Sequence, residues 1–189
     1  MFDDEHTIIS NIAAKTAEKN TIISDVDIDI DGVIYQFERR EFLSGFSIVL
    51  PKSFDYMATE CVKRKYPYEE RPSIILSNED TTINFLFDCM KIKPEELSSR
   101  LKKYKAVVKK MNPSHVFYSE SIIKLESGLD LALYDYIGSA IDDDIYYISF
   151  FTDLPNGELF GCFTCPIDAE ARWGTLTRQM IMTIETIPF

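Results

Sequence analysis

Apolar and polar residues alternate one by one in the stretch DVDIDIDGVIYQFE, residues 25–38. A period of two is typical of a β-strand, and Asp31-Gly32 is a favoured two-residue turn because both positions take positive φ. A hairpin around this turn places three apolar pairs on one face: Ile30 with Val33, Ile28 with Tyr35, and Val26 with Phe37. The pattern therefore predicts a β-hairpin whose aspartates lie on the solvent face.

The same stretch also matches the calcium loop of an EF-hand. The matching residues are Asp27, Asp29, Asp31, Gly32 and Glu38. A calcium loop would expose Ile28 and Ile30 to water and would continue as a helix through a strand-prone run, so we favour the hairpin and predict no metal ligand. One alternative stays open. Two acidic groups, Asp25, Asp27 and Asp29 with Asp142, Asp143 and Asp144, could together supply oxygen ligands for a weak divalent-metal site.

Further apolar runs, separated by turn residues, predict strands along most of the chain. They cover residues 46–51, 73–77, 82–89, 116–126, 129–138, 144–153 and 158–165. Strands that are mostly joined by short turns favour an antiparallel sheet.

Helical spacing of apolar residues predicts four helices. They are residues 5–18, a helix capped by Ser53 with Phe54, Met57, Ala58 and Cys61 on its apolar face, a helix opened by Pro94 with Leu97, Leu101, Tyr104, Val108 and Met111, and a helix capped by Asp168 with Ala169, Trp173, Leu176 and Met180. The predicted class is α+β, an antiparallel β-sheet flanked by helices in an α/β/α sandwich.

Length and composition indicate one globular domain over residues 1–189, because 46% of the residues are apolar and no Pro- or Gly-rich linker divides the chain. The net charge of −11 disfavours nucleic acid as a partner. No uninterrupted apolar run is close to the length of about 18 residues that a membrane-spanning helix needs. Because the N-terminus lacks the basic and apolar regions of a signal peptide, we expect a cytoplasmic protein, of bacterial type.

The charge is unevenly distributed along the chain. Residues 1–31 contain eight carboxylates, whereas residues 91–110 contain eight Lys or Arg against Glu95 and Glu96. Solvated surfaces explain both stretches. The alternative is a polar molecule with two faces that attract partners of opposite charge.

Few residues suggest chemistry. Cys162 and Cys165 form a C-x-x-C pair, but residues three apart on a strand point to opposite faces, so we predict structural cysteines and keep a redox pair as the alternative. Neither His6 nor His115 belongs to a catalytic or metal-ligand motif, and no nucleotide-binding or hydrolase motif occurs. We therefore assign no catalytic residue and no cofactor, and the question of enzymatic activity stays open.

The stretch KYPYEERP, residues 65–72, places two tyrosines and an arginine between prolines. A loop stiffened by proline loses little entropy on binding, and Tyr and Arg are frequent anchors of protein interfaces. Tyr66, Tyr68 and Arg71 are therefore the candidate protein-binding residues. The alternative is that both tyrosines pack over the sheet edge while Arg71 pairs with a glutamate.

The layout resembles the PsbP-like fold family, which includes an extrinsic photosystem II subunit, a Ran-binding nuclear import factor and bacterial secretion chaperones. The resemblance rests on the hairpin turn at Asp31-Gly32, a strand that ends at Pro51 before Phe54, and late strands leading through Cys165-Pro166 to the helix of Trp173. It implies an antiparallel sheet between helices and a non-enzymatic binding role.

Two functional hypotheses follow. The first is a protein-binding or adaptor domain without a cofactor. The second is a small-ligand-binding protein or enzyme with a pocket between sheet and helices, lined by some of the 13 Phe, 10 Tyr and 1 Trp. A homo-oligomer formed through an exposed strand is compatible with either hypothesis.

Overall fold

The computed structural model describes residues 27–139 and 143–188 of the chain. The helix predicted at residues 5–18 lies outside these ranges. Twelve strands and three α-helices are formed in the described part. The strands are β1 Ile28–Ile30, β2 Val33–Tyr35, β3 Phe37–Phe42, β4 Phe46–Pro51, β5 Asp55–Tyr56, β6 Ile74–Ser77, β7 Asn84–Met90, β8 Val116–Lys124, β9 Asp130–Ser139, β10 Asp144–Leu154, β11 Gly157–Pro166 and β12 Glu185–Thr186. The helices are α1 Thr59–Lys65, α2 Leu97–Met111 and α3 Glu170–Met182, and a 3-10 turn over Ile167–Ala169 precedes α3.

Seven strands form one antiparallel sheet in the order β5-β6-β7-β11-β10-β9-β8. A second, three-stranded sheet has the order β12-β4-β3, and β1 pairs only with β2 among the described residues. Each strand predicted from an apolar run matches an observed strand to within a few residues. The α+β class with an antiparallel sheet is confirmed.

The large sheet is covered on both faces. On one face, Phe87 of β7 packs against Phe42 and Phe46 of the small sheet, with ring centroids 5.6 and 5.4 Å apart. Trp173 of α3 fills the same layer, 5.6 Å from the Phe54 ring. The other face carries α1 and α2, so that side chains of β9, β10 and β11 are buried alternately on either side. This is the predicted α/β/α layering, with a small sheet beside α3.

The predicted hairpin is confirmed. Ile28 lies opposite Tyr35 and Ile30 opposite Val33, and Asp31 and Gly32 have φ values of 56° and 81°. Asp29 Oδ1 accepts a hydrogen bond from the Gly32 amide at 2.8 Å, so this carboxylate stabilises the turn. The third predicted pair is not tested, because Val26 lies outside the described residues.

The helix predicted from Ser53 is wrong at its start. Phe54 is fully buried in the core, and β5 follows it and pairs with β6. Met57 donates its amide hydrogen to the Ile75 carbonyl at 2.9 Å, which keeps the chain extended until α1 begins at Thr59. Burial of Phe54 and pairing with β6 therefore outweigh the local helical spacing.

Two details of the other predicted helices also need correction. Asp168 makes no capping hydrogen bond, because it lies in the 3-10 turn and α3 begins only at Glu170. Met111, predicted to face the sheet, is 80% exposed at the last residue of α2. Leu101 is buried and Leu97, Tyr104 and Val108 pack against the sheet, as predicted.

The pairing of β10 with β11 leaves no room for a side chain at residue 161. Gly161 lies opposite Phe150, and an added Cβ would overlap the Phe150 ring. We expect Gly161→Ala to lower the free energy of unfolding by about 1–3 kcal/mol, because overpacking forces the ring from its position. Denaturant titration measures this. In a Phe150→Leu background, where the ring is gone, the same substitution should cost clearly less; an equal cost in both backgrounds would contradict the steric explanation.

Candidate interaction edge

The large sheet has two outer strands of very different length. β5 contributes two residues at one edge, whereas β8 contributes nine at the other. Within residues 27–139 and 143–188, no strand pairs with the outer side of β8. We call residues 116–124 the β8 edge. An unpaired edge strand presents N–H and C=O groups to solvent, ready to pair with another strand.

The β8 edge also exposes apolar side chains. Val116 is 54%, Tyr118 61% and Ile122 45% exposed. The outer strands of the small sheet differ, because β12 has only two residues and the middle of β3 reads Glu38-Arg39-Arg40-Glu41. Charged residues of this kind disfavour pairing with another chain. β8 is therefore the longer of the two outer strands of the large sheet, and it exposes more apolar side chains than β3.

A β-bulge interrupts β8 between Phe117 and Ser119. Asp135 of β9 anchors the strand at this point: its Oδ1 accepts hydrogen bonds from the Ser119 amide at 2.7 Å and from the Ser119 hydroxyl at 2.6 Å. Its Oδ2 accepts from Tyr146 Oη at 2.7 Å and from Arg178 at 2.6 Å. Asp135 is 4% exposed, so four donors hold a buried carboxylate beneath the edge.

Helix α2 lies beside the edge, and all of its charged residues are basic. It contains five lysines and Arg100 and no carboxylate. Lys105 forms an ion pair with Glu120 of β8, and its Nζ lies 5.0 Å from the centre of the Phe117 ring. Lys109 donates to the His115 carbonyl just before β8, at 2.6 Å. Lys102, Lys105 and Lys109 share one side of the helix by their spacing, and we call them the lysine row.

Arg100 points the other way, into the protein. It pairs with the fully buried Glu158 and, at 2.7 Å, with Asp153. Tyr104 donates to Glu158 at 2.6 Å, and burial together with this hydrogen bond raises the pKa of Tyr104. These contacts attach α2 to β10 and β11. They fix the rotation of the helix and thereby direct the lysine row towards the β8 edge.

The candidate residues from the sequence do not form one surface. Tyr66 packs against the cluster of Met57, Ile75 and Leu86, and burial raises its pKa. Tyr68 is 75% exposed, and Arg71 donates to its carbonyl at 3.1 Å rather than to a glutamate. Only Tyr68 and Arg71 remain accessible together.

Two of the surface cavities in the described part of the chain bear on the ligand-binding hypothesis. One, of about 320 Å³, lies between the hairpin and α3, where Asp31 and Arg172 form an ion pair at 3.0 Å. The other, of about 480 Å³, is lined by Ile34, Gln36, Lys52 and Ser53. Neither is lined by an aromatic ring, in contrast to the pocket that the ligand-binding hypothesis requires.

No group of three His, Cys, Asp or Glu is placed to hold a metal ion within residues 27–139 and 143–188. Asp25 and Asp142, two residues of the weak divalent site that the sequence leaves open, lie outside these ranges, as does His6. No helix among the described residues is long and apolar enough to cross a membrane.

The C-x-x-C cysteines point to opposite faces of β11, as predicted. Cys165 lies in the core beside α3, and Cys162 packs in the cluster beneath α1. Burial raises the pKa of Cys162 to about 11. Burial and the carboxylates of Glu170 and Asp168 raise the pKa of Cys165 to about 12. A redox thiol requires a lowered pKa, so the geometry favours structural cysteines.

Alkylation with iodoacetamide at pH 8 tests this assignment. We expect Cys89, which is exposed, to be modified in the native protein. Cys162 and Cys165 should react only after unfolding, because their thiols are buried and protonated. Peptide mass spectrometry with and without denaturant gives the result. Rapid native modification of Cys165 would contradict a structural role.

Asp135 should control the order of the β8 edge. We expect Asp135→Asn to lower the free energy of unfolding by about 1–3 kcal/mol, because charge-assisted hydrogen bonds are weakened. Hydrogen exchange should accelerate in β8 more than in β11. Asp130→Asn is the matched control, since Asp130 begins the same strand and is exposed. Uniform acceleration over the whole sheet would contradict a local anchoring role.

A signal for Asp135 exists in the sequence, where one carboxylate interrupts the apolar run LALYDYI, residues 131–137. The position of β8 as an outer strand among the described residues had no comparable signal, because the order of strands in a sheet is a property of the whole fold.

Comparison with known proteins identifies the fold. No family model matches the sequence, and no curated protein matches it. Among solved structures, cyanobacterial PsbP (CyanoP) from Synechocystis sp. PCC 6803 superposes with a TM-score of 0.61 at 9% identity, covering 86% of this chain and 98% of that one. A point mutant of the protein Mog1 gives 0.54 at 10% identity, covering 80% and 96%. The predicted resemblance is confirmed at the level of architecture: the chain has a PsbP-like fold.

Proposed function

We propose that the protein is a non-enzymatic protein-binding or adaptor domain, acting as one folded unit in the cytoplasm without a cofactor. The observation that carries the proposal is the β8 edge, a nine-residue strand with exposed apolar side chains and no pairing strand in the described part of the chain. Protein partners commonly occupy such edges by adding a strand of their own.

The chemistry around the edge supports the same proposal. The buried charged groups beside it serve the structure: Asp135 holds β8, and Arg100 with Glu158 holds α2. Of the lysine row, Lys105 and Lys109 contact Glu120 and the His115 carbonyl at the protein surface, while Lys102 and Ile122 make no described hydrogen bond or ion pair through their side chains. A surface combining exposed apolar groups with one sign of charge is suited to a protein partner.

Tyr68 and Arg71 form a second candidate surface for the same function. Tyr68 is exposed, and the hydrogen bond from Arg71 to its carbonyl stiffens the loop between α1 and β6. A stiff loop loses little entropy when an exposed tyrosine is buried in an interface. The alternative function, small-ligand binding or catalysis, would require an aromatic-lined pocket, and neither of the two cavities described above has an aromatic lining.

Photo-crosslinking locates the binding surface. A benzoylphenylalanine is placed at Tyr118, Tyr68 or Tyr56 in turn, and each protein is irradiated in native lysate at low and high salt. Tyr118 and Tyr56 are a matched pair, because they are 61% and 62% exposed and lie on opposite edges of the same sheet. We expect a crosslinked partner from position 118, weaker at high salt, and none from position 56.

Each other outcome changes the conclusion. Crosslinks from position 68 alone would assign the partner to the Tyr68–Arg71 loop and remove the β8 edge from the proposal. Equal products from positions 118 and 56 would indicate non-specific contacts. No product from any position would contradict the protein-binding function.

A further inference from the structure

We propose that the β8 edge accepts an extended, acidic segment of a partner protein as an additional strand of the large sheet. The inference rests on the proposed function and specifies its binding mode and the chemistry of its partner. Three features carry it: a uniform stretch of edge backbone after the bulge, a row of lysines beside it, and one apolar side chain between them.

The backbone determines the mode of binding. After the bulge, residues 119–124 pair with β9 in unbroken register from Ser119 opposite Asp135 to Lys124 opposite Asp130. The Ser119 amide is already bound to Asp135, so new pairing is confined to the residues that follow it. This length suits an extended segment of about five or six residues, the common length of a strand.

The side chains of the edge determine what the added strand can carry. Glu120, Ile122 and Lys124 lie opposite Tyr134, Ala132 and Asp130 of β9. Tyr134 and Ala132 pack in the cluster beneath α2, so Glu120 and Ile122 lie on the α2 face, and Lys124 shares that face by the period of two. Ile122 is 45% exposed. An apolar residue directly opposite it on the added strand would therefore be favoured.

The lysine row determines the charge of the segment. Lys105 and Glu120 neutralise one another, and Asp130 lies opposite Lys124, which leaves Lys102 and Lys109 without a carboxylate among the described ion pairs. The chain as a whole carries −11. At physiological salt the Debye length is about 8 Å, so a docked segment senses these lysines more than the distant carboxylates. Acidic side chains on the α2 side of the added strand are therefore favoured.

A second copy of the chain is the competing occupant. Two β8 strands paired antiparallel about Ile122 would bring Glu120 of each opposite Lys124 of the other, which is favourable. The same two-fold arrangement, however, would turn the two lysine rows towards each other. Repulsion between these rows favours an acidic partner over self-association.

The test uses the full chain and fluorescein-labelled ten-residue peptides, measured by fluorescence anisotropy. In the Glu peptide every second residue is Thr and the positions between alternate Glu and Val, so that one side of the extended peptide presents acidic residues together with an apolar residue for Ile122. We expect the Glu peptide to bind and its Lys-for-Glu counterpart not to bind. Lys102→Glu with Lys109→Glu should weaken binding about tenfold, since two exposed charge pairs with the peptide are lost and replaced by repulsion. The control carries the same charge change, Lys91→Glu with Lys93→Glu, at residues that follow β7, which is four positions from β8 in the sheet. Its affinity should stay within about twofold.

Backbone N-methylation tests strand addition itself. Two Glu peptides are methylated at alternate amides, one at even and one at odd positions, so that only one set blocks the hydrogen bonds to β8. We expect one peptide to lose binding and the other to keep it, because successive N–H groups of a strand point to opposite sides. Equal loss or equal retention would overturn strand addition, and insensitivity to the lysine reversals would overturn the acidic specificity.

Sedimentation of the full chain and of Ile122→Lys completes the design, with circular dichroism to verify that the variant is folded. A dimer that Ile122→Lys dissociates would assign the edge to a second copy and overturn the inference. Crosslinking at Tyr118 without binding of the Glu peptide would reject the acidic strand while leaving the protein-binding function. Failure of both experiments would reject both.

Discussion

Burial of the large sheet on both faces is the constraint on which the rest of the structure depends. Strands β9, β10 and β11 place side chains alternately beneath α3 with the small sheet and beneath α1 with α2. Little room is then left inside for a site: Gly161 accommodates the Phe150 ring, and Trp173 fills the layer between Phe54 and Phe163. Accessible groups are consequently at the periphery of the sheet, where its pairing ends.

The charged groups that remain inside are positioned by the same constraint. A buried charge is tolerated when it is paired and hydrogen-bonded. Glu158 meets this condition through Arg100 and Tyr104, and Asp135 through Ser119, Tyr146 and Arg178. The first set fixes α2 over β10 and β11, and the second fixes β8 on β9. The β8 edge and the lysine row therefore owe their relative position to two interior networks.

Local patterns were sufficient for the elements but not for their arrangement. The hairpin at Asp31-Gly32, the strands and the inward face of α2 follow from periods of two and of 3.6 residues, which short segments contain in full. The start of α1 did not follow, because Phe54 is drawn into a core built by residues far along the chain. Tyr66 and Tyr68 have similar surroundings in the sequence. Only Tyr66 packs against the cluster of Met57, Ile75 and Leu86, and this could not be predicted because the cluster is formed by residues from separate elements. Which strand ends the sheet is likewise a tertiary property.

An open strand edge can pair with another chain, and the outer strands of the two larger sheets limit this in different ways. β5 and β12 are short, β3 carries four adjacent charges, and β8 has a bulge followed by a regular stretch containing Ile122 and Ile123. Edges are commonly protected by lysine, and in this fold the protecting lysines are contributed mostly by α2, beside the strand rather than on it. Because these lysines lie beside the strand, they repel the lysine row of a second molecule. The backbone of residues 120–124 is still able to pair. In the proposed binding mode, a strand of opposite charge escapes this repulsion and gains the hydrogen bonds. The arrangement would then select an acidic segment, whereas the charges of β3 disfavour any added strand.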